Sequence, residues 1–587
     1  MIRYPTLTPQ VASRDMVDVF KGYNHNLRIS DGEFFDMKNM TSDFYPVLSP
    51  RKARGAYATL ENPTGLIAKD SLCYTDGKYF VMNECRIDMG LNDEPKQLIS
   101  MGAYVIILPD EKYINTNDIP YYGTDKDTQD RGNIGAGFES SQAVTFELCS
   151  IAGEIYDATP SPSEPGSPEN MDYWIDQSSV PHTLKQYSRA SGMWVPVATT
   201  YVKISTTGIG APFNQYDGVT ISGIKDASLQ DLNASMVVWE KGDDYIVVVG
   251  ILDSIIVQEP TDGTITVKRE MPKMDFITES GNRLWGCCYG VANNGQVVNE
   301  IYASKLGDFK NWNCFMGLST DSYAASCGTD GPFTGAITHM GYPIFFKENC
   351  FHKVYGNFPS NFQIQDTACR GVQRGCDKSL AIVNETLFYK ARSGICAFDG
   401  SLPGEVSYQL GNEVYGDAVG GAHGNKYYVS MKDTAEQWHL FVYDMAKGMW
   451  HREDNLEAKA FCSCRGEMYC INGNQILGMT GIGEKEESVS WMVETGELAL
   501  SSPDMKYVSR LTLRMSMEAG ATLKIYIQYD LDNEWKEVGS LVSTSLRSFS
   551  VPVRPRRCDH LKLRLEGTGG ARIYSITKTI EQGSELS

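Results

Sequence analysis

A chain of 587 residues is too long for one hydrophobic core and is expected to divide into three or more units. Its 42% hydrophobic and 21% charged content argues against a disordered chain, and 32 tyrosines with 55 glycines favour β-structure with tight turns. A formal net charge of −20 argues against a protein that grips nucleic acid by neutralising phosphates; simple solubility accounts for it, as does an acidic wall past which nucleic acid slides.

The first fifteen residues carry no apolar core of a secretion signal, and no run approaches the roughly 18 apolar residues of a spanning helix. Residues 1–60 read as an extended arm. Within it, "DMKNMTSDFYPVLSPRKAR" (Asp36 to Arg54) has little helical period and two prolines, Pro46 and Pro50.

Residues 61–110 read as the first blade or blades of a β-propeller. "DSLCYTDGKYFVMNECRI" sets two aromatic β-runs about Asp76-Gly77, a hairpin signal. Residues 111–270 read as an inserted β-rich domain, a sandwich between blades. Its "DKDTQD" (Asp125 to Asp130) opens like a calcium loop but lacks the sixth-position glycine and the twelfth-position glutamate, so it reads as a solvated acidic loop. The four prolines of "ATPSPSEPGSPEN" (158–170) exclude helix and central strand, leaving an exposed loop. "YIVVVGILDSIIV" (Tyr245 to Val257) reads as two buried strands, broken at Gly250 and Asp253.

From 271 to 490 the pattern of turn, aromatic strand, turn, strand returns in units of about 40–55 residues, the spacing of propeller blades. Five units after 270 and one or two before 120 give about six or seven blades. In "YASKLGDFKNW" (Tyr302 to Trp312), Ser304 and Asp308 stand too far apart for the Asp-box turn of sialidase propellers. Residues 491–587 read as a C-terminal β-sandwich, because "RLTLRMSM", "TLKIYIQYD" and "HLKLRLEG" alternate strictly, with Leu511, Leu513, Met515, Leu523, Ile525, Ile527, Leu561, Leu563 and Leu565 on inward faces. The fold class expected is therefore all-β.

No phosphate loop, metalloprotease or nucleophile-elbow motif occurs, so no catalytic, cofactor-binding or metal residue is assigned and no enzymatic activity is expected. The 15 cysteines fall mostly within strand-like runs; Cys462/Cys464 and Cys369/Cys376 lack zinc-ligand spacing, which suggests core thiols and assembly in a reducing cytosol. His339 and His352 read as strand histidines. Arg554, Arg556 and Arg557 form a dense basic patch, either a dock for an acidic partner or a guarded sheet edge. Trp174, Trp194 and Trp438 would serve a glycan binder if exposed, and are equally plausible in a core.

"GYNHNLRISDGEFFDMKNMTSDFYPVLSPRKAR" resembles the N-terminal segment of a family of tailed-phage virion proteins, the packaged-DNA stabilisation or tail-hub proteins and, more loosely, the tail-nozzle (tail tubular protein B) proteins. The matching positions are Asp36, Asn39, Tyr45, Pro46, Leu48 and Arg51. "EIYASKLGDFKNW" is similar to the family's Ser…Gly-Asp…Asn-Trp blade turn, and "LKLRLEGTGGARIYSITKTIEQGS" resembles the C-terminal end of related prophage proteins. The resemblance implies a propeller in a ring, usually hexameric, at or below the head–tail junction of a virion assembled in the host cytoplasm. The ring would contact other tail or connector proteins and line a channel through which genome DNA passes without specific binding. Asp36 and Arg51 would be structural ion-pair residues. Alternatives are a glycan-binding or glycan-cleaving tail propeller, and a generic propeller that binds proteins.

Overall fold

The computed structural model describes residues 12–120, 130–291, 295–498, 505–530, 532–542, 544–551, 553 and 556–582. The regular structure of the described chain is nearly all β-strand, and its helical pieces are 3₁₀ segments of three to six residues. Among these residues, seven sheets share one plan, an antiparallel meander of four strands. The first begins at Pro63–Ala68, the second at Gln97–Met101, the third at Phe276–Ser280, the fourth at Gly335–His339, the fifth at Ala381–Val383, the sixth at Tyr415–His423 and the seventh at Ala460–Cys464. First strands of successive sheets touch in turn, the fourth reaching the fifth through the turn Asp377–Ser379, and that of the seventh returns to the first. The arrangement is propeller-like.

The meanders follow from turn chemistry. Two-residue hairpins place Asn83-Glu84, Gly281-Asn282, Met340-Gly341, Asn384-Glu385 and Arg465-Gly466 at positive φ, the geometry that matches strand twist. The hairpin expected at Asp76-Gly77 lies one residue later, because Asp76 pairs with Tyr79. These turns also join neighbouring sheets. Asn384 Nδ2 donates to Asn425 Oδ1 at 2.7 Å, His423 Nδ1 lies 3.0 Å from Ser463 Oγ, and Arg465 donates to the Asp70 carbonyl at 2.7 Å.

Circular closure comes from the N-terminal segment. Gly55–Thr59 supplies the fourth strand of the seventh sheet, pairing with Gln475–Gly478. The arm holds short strands, Ala12–Val17, Gly22–Tyr23 and Glu33–Lys38; the last two pair with each other, and each of the three has a partner remote in sequence. Local periodicity could not reveal them, since each is two to six residues long.

The second sheet runs on to Asn133, and three further sheets occupy Gly137–Lys268. All three contribute to one core, which includes Phe146, Ile204, Ile246, Val219, Ile221 and Val267 with Ile175 and Leu184. The third spans 158–196, and here the expected loop is corrected: Ala158–Ser161 is a strand, parallel to Tyr173–Asp176 and at the sheet edge where Pro160 is tolerated. Ile246, Val247 and Val248 of Tyr245–Val249 are buried as expected, but Val249 is exposed, and Ile256–Gln258 is an edge strand that leaves Val257 half exposed. The insertion is fixed to the third sheet by Asn311, whose Nδ2 donates to Asp217 at 2.9 Å and whose Oδ1 accepts from the Gly218 N–H at 2.8 Å. Asp217 also pairs with buried Arg269 at 3.0 Å.

Beyond 490, two sheets enclose an apolar core. One joins Ser490–Thr495, Leu561–Thr568, Thr522–Tyr529 and Lys536–Leu541, and continues through Glu33–Lys38 and Gly22–Tyr23 into the sixth sheet. The other joins Ala12–Val17, Ala571–Gln582, Lys506–Met517 and Arg547–Val551. Every residue of the three alternating runs placed inward is buried, while Thr512, Arg514 and Ser516 are not. All 15 cysteines are free, eleven of them buried. His339 is bonded to the Glu385 carbonyl, and His352 to Thr329 Oγ1 at 2.8 Å; burial pushes the His352 imidazole down to about 4.

Candidate functional site

The segment Asp36 to Arg54 lies where the sixth sheet, the seventh sheet and the C-terminal sheets meet. Glu33–Lys38 pairs with Ser490–Thr495 and then stops at Asn39, which sits at φ 56, a conformation Asn tolerates better than most residues. From there Asn39 touches three elements. Its N–H donates to the Glu453 carbonyl at 2.7 Å, its Nδ2 donates to the Ser490 carbonyl at 2.7 Å, and its Oδ1 accepts from Arg51 Nε at 2.8 Å. Met40–Thr41 and Ser49–Pro50 then form a small two-stranded sheet. Leu48, fully buried, exchanges backbone hydrogen bonds with Ile573 at 3.1 and 2.9 Å.

Two buried guanidiniums complete the junction. Arg54 pairs with Glu453 at 2.6 Å and Asp454 at 2.7 Å. Arg51 pairs with Glu486 at 2.9 Å and reaches Asp454 at 3.5 Å. Burial alone would raise the Asp454 and Glu486 carboxyls, but the Arg54 charge beside the first and the Arg51 hydrogen bond to the second override it and hold both below the usual carboxylate range. Asp36 pairs separately, with Arg452 at 2.8 Å. Asp36 and Arg51 thus each form an ion pair, but with different partners. The sequence reading named Asn39 and Arg51 from the motif and passed over Arg54, Glu453 and Asp454, since the acid pair lies about 400 residues from its arginine.

Two clefts, about 830 and 700 Å³, flank the segment 484–490 and share Arg51, Lys485, Glu486 and Glu487 among their walls. A third, about 440 Å³, opens between the second sheet and the segment that leads into the third, and is lined by Glu111, Asp275, Gln97 and Lys273. Burial raises the Glu111 carboxyl, and Asp275 Oδ2 accepts from the Tyr289 N–H at 2.8 Å.

The other sequence candidates are dispersed. Trp174 is buried and Trp194 half-buried, with rings 5.5 Å apart, and half-buried Trp438 lies in the sixth sheet. Arg556 pairs with Asp532 at 2.5 Å, whereas Arg554 lies outside the described residues, as does most of 125–130. No helix among the described residues is long and apolar enough to cross a membrane, and no group of three or more potential metal ligands occurs there.

No protein-family profile and no curated protein matches the chain. Solved structures do match. An exo-β-1,3-galactanase from Phanerochaete chrysosporium with galactose is 8% identical, over 51% of this chain and 94% of that one, with a TM-score of 0.20. A glycoside hydrolase is 11% identical over 51% and 96%, with a TM-score of 0.19, and the Trypanosoma rangeli sialidase in complex with sialic acid is 8% identical over 91% and 96%, with a TM-score of 0.18. None of these is a phage protein. Their names are those of glycoside hydrolases and a sialidase, and the expectation of a chain without enzymatic activity is withdrawn. With TM-scores this low they carry no argument about substrate or residues.

Proposed function

We propose that the chain is a component of a tailed-phage virion: a propeller of seven blades with an inserted and a C-terminal β-sandwich, assembled as a hub- or nozzle-like ring through which genome DNA passes. The observation that carries this reading is the location of the opening motif. Asn39, Leu48 and Arg51, three of the six positions that resemble the phage family, bond to the seam between propeller and C-terminal sheets. A motif that ties domains together suits a rigid wedge built into a ring. Native mass measurement and electron imaging of the purified chain, with immunodetection in phage particles, test it. Rings of defined stoichiometry present in particles are expected; a monomer absent from every particle fraction would end the reading.

A second reading, a glycan-cleaving propeller, is favoured by the third cleft. There Glu111, whose carboxyl burial holds in the protonated form to higher pH, faces a cleft that also carries Asp275. Glycoside hydrolysis needs such an acid paired with a second carboxylate. Hydrolysis of aryl glycosides that disappears in both Glu111→Gln and Asp275→Asn would favour this reading over the first.

A further inference from the structure

The two clefts beside Arg51 point to an activity neither reading requires. We propose that the Arg51 fork is a binding site for a phosphate group, occupied in the free chain by the chain's own Glu486. Arg51 offers Nη1 and Nη2 to the two Glu486 oxygens at 2.9 and 3.3 Å, the two-pronged geometry by which arginine also holds phosphate. The arginine is buried and the acid is not, although Glu486 Oε2 also accepts from the Arg54 N–H at 3.1 Å. The Arg51 side chain is 7% exposed and held at Nε by Asn39, whereas Glu486 is 39% exposed on a stretch, 482–488, that is exposed throughout. Gly481 and Gly483, at φ 108 and 101, bracket the entry to this stretch, and clefts of about 830 and 700 Å³ lie on either side of it. The backbone is held by a two-residue pairing of Glu484–Lys485 with Gly55–Thr59 and by the Glu486 N–H, which donates to the Arg54 carbonyl at 3.0 Å, so the Glu486 side chain can turn outward without lifting the strand, releasing the Arg54 N–H as a further donor.

Charge balance favours exchange for an anion. With Glu486 in place, Lys38, Arg51, Arg54 and Lys485 face Glu453, Asp454, Glu484, Glu486 and Glu487, an excess of one negative charge. Turning Glu486 out leaves the walls neutral, and a bound monoanion restores the original balance. Arg54, 3% exposed beside Arg51, has an Nε without a hydrogen-bond partner among the described residues, so the cluster holds a donor that its present acids leave unused. The shared chemistry is a tetrahedral phosphate oxyanion, free or in a nucleic-acid backbone.

The test is calorimetric titration of the full chain and of Glu486→Gln and Glu487→Gln with inorganic phosphate at pH 7 and low salt, with thermal melts to confirm folding. Removing the internal competitor should tighten phosphate binding about tenfold in Glu486→Gln. Glu487→Gln lines both clefts and should change binding less than about twofold. Equal or weaker binding by Glu486→Gln, or an equal gain in both variants, would overturn the site. A parallel titration with a single-stranded oligonucleotide separates the sources: phosphate alone tightening assigns a free ligand, and both tightening assigns a backbone phosphate.

Discussion

Arg51 donates its Nε to Asn39 Oδ1 across 2.8 Å, and Asn39 in turn donates to the Ser490 carbonyl, so one amide orients the arginine and ties down the C-terminal sheets. Asn39→Ala leaves a buried guanidinium N–H and a backbone carbonyl unpaired, at an expected cost of about 1–3 kcal/mol. Asn39→Ala and Ser42→Ala, compared by denaturant melting, check this, since Ser42 makes a single side-chain bond, to Asp444 at 2.6 Å, and should cost less.

Breaking the buried pairs should cost more. Lys96 and Asp110 lie 2.5 Å apart with side-chain exposures of 0% and 2%. Asp110→Ala strands the ammonium in the interior and should lower stability by about 3–5 kcal/mol, whereas Lys96→Met with Asp110→Leu should recover most of the loss. Urea melts of the two variants decide whether the pair is needed for stability.

Acid should loosen the seam. The Asp454 and Glu486 carboxyls are depressed in the folded chain, so their contribution is complete above the unfolded values near 4 and is lost as pH falls through the lower folded values. Glu111, raised by burial, acts in the opposite sense, since its cost is relieved on protonation. Thermal melts from pH 7 to pH 2 should show a net fall that begins below about pH 6.5, where buried His352 stays neutral only in the folded chain, and steepens below about pH 4, with a shallower fall in Glu486→Gln.

Deletion of residues 164–167 should be tolerated, because they are mainly exposed and the five residues left between Ser161 and Met171 still reach back along the parallel strand. Deletion of 158–170 should not be, because it removes the edge strand whose Ser161 carbonyl accepts from Trp174 Nε1 at 2.9 Å. The yield of soluble protein and the melting temperature of the two deletions distinguish these outcomes.

Removal of residues 1–54 should impair folding itself. It takes away Phe34, Met37, Met40 and Leu48, all buried, together with both seam arginines. Loss of a cooperative melt is expected; a truncated chain that melts as sharply as the parent would show that the seam is dispensable.

What the sequence made legible was what is local. Period-2 alternation marked Leu511, Leu513 and Met515 as inward-facing, and glycine- and asparagine-bearing turns marked the meanders, because both signals lie within ten residues. The seam was only half legible. The motif singled out Asn39 and Arg51, but nothing near Arg54 announces Glu453 and Asp454, and a two-residue strand such as Gly22–Tyr23 has no period to read. The prolines of 158–170 excluded a central strand but were silent about an edge one.

Because Gly55–Thr59 must wait for Gln475–Gly478, the ring of sheets stays open during synthesis of about 400 residues, roughly 20–80 s at 5–20 residues per second. Throughout that interval the nascent chain carries Ile476's future partner strand as an unpaired edge near its leading end, already outside the ribosome. The order in which this chain is made therefore sets a window of vulnerability to aggregation, and slowing translation between residues 60 and 475 should lengthen it.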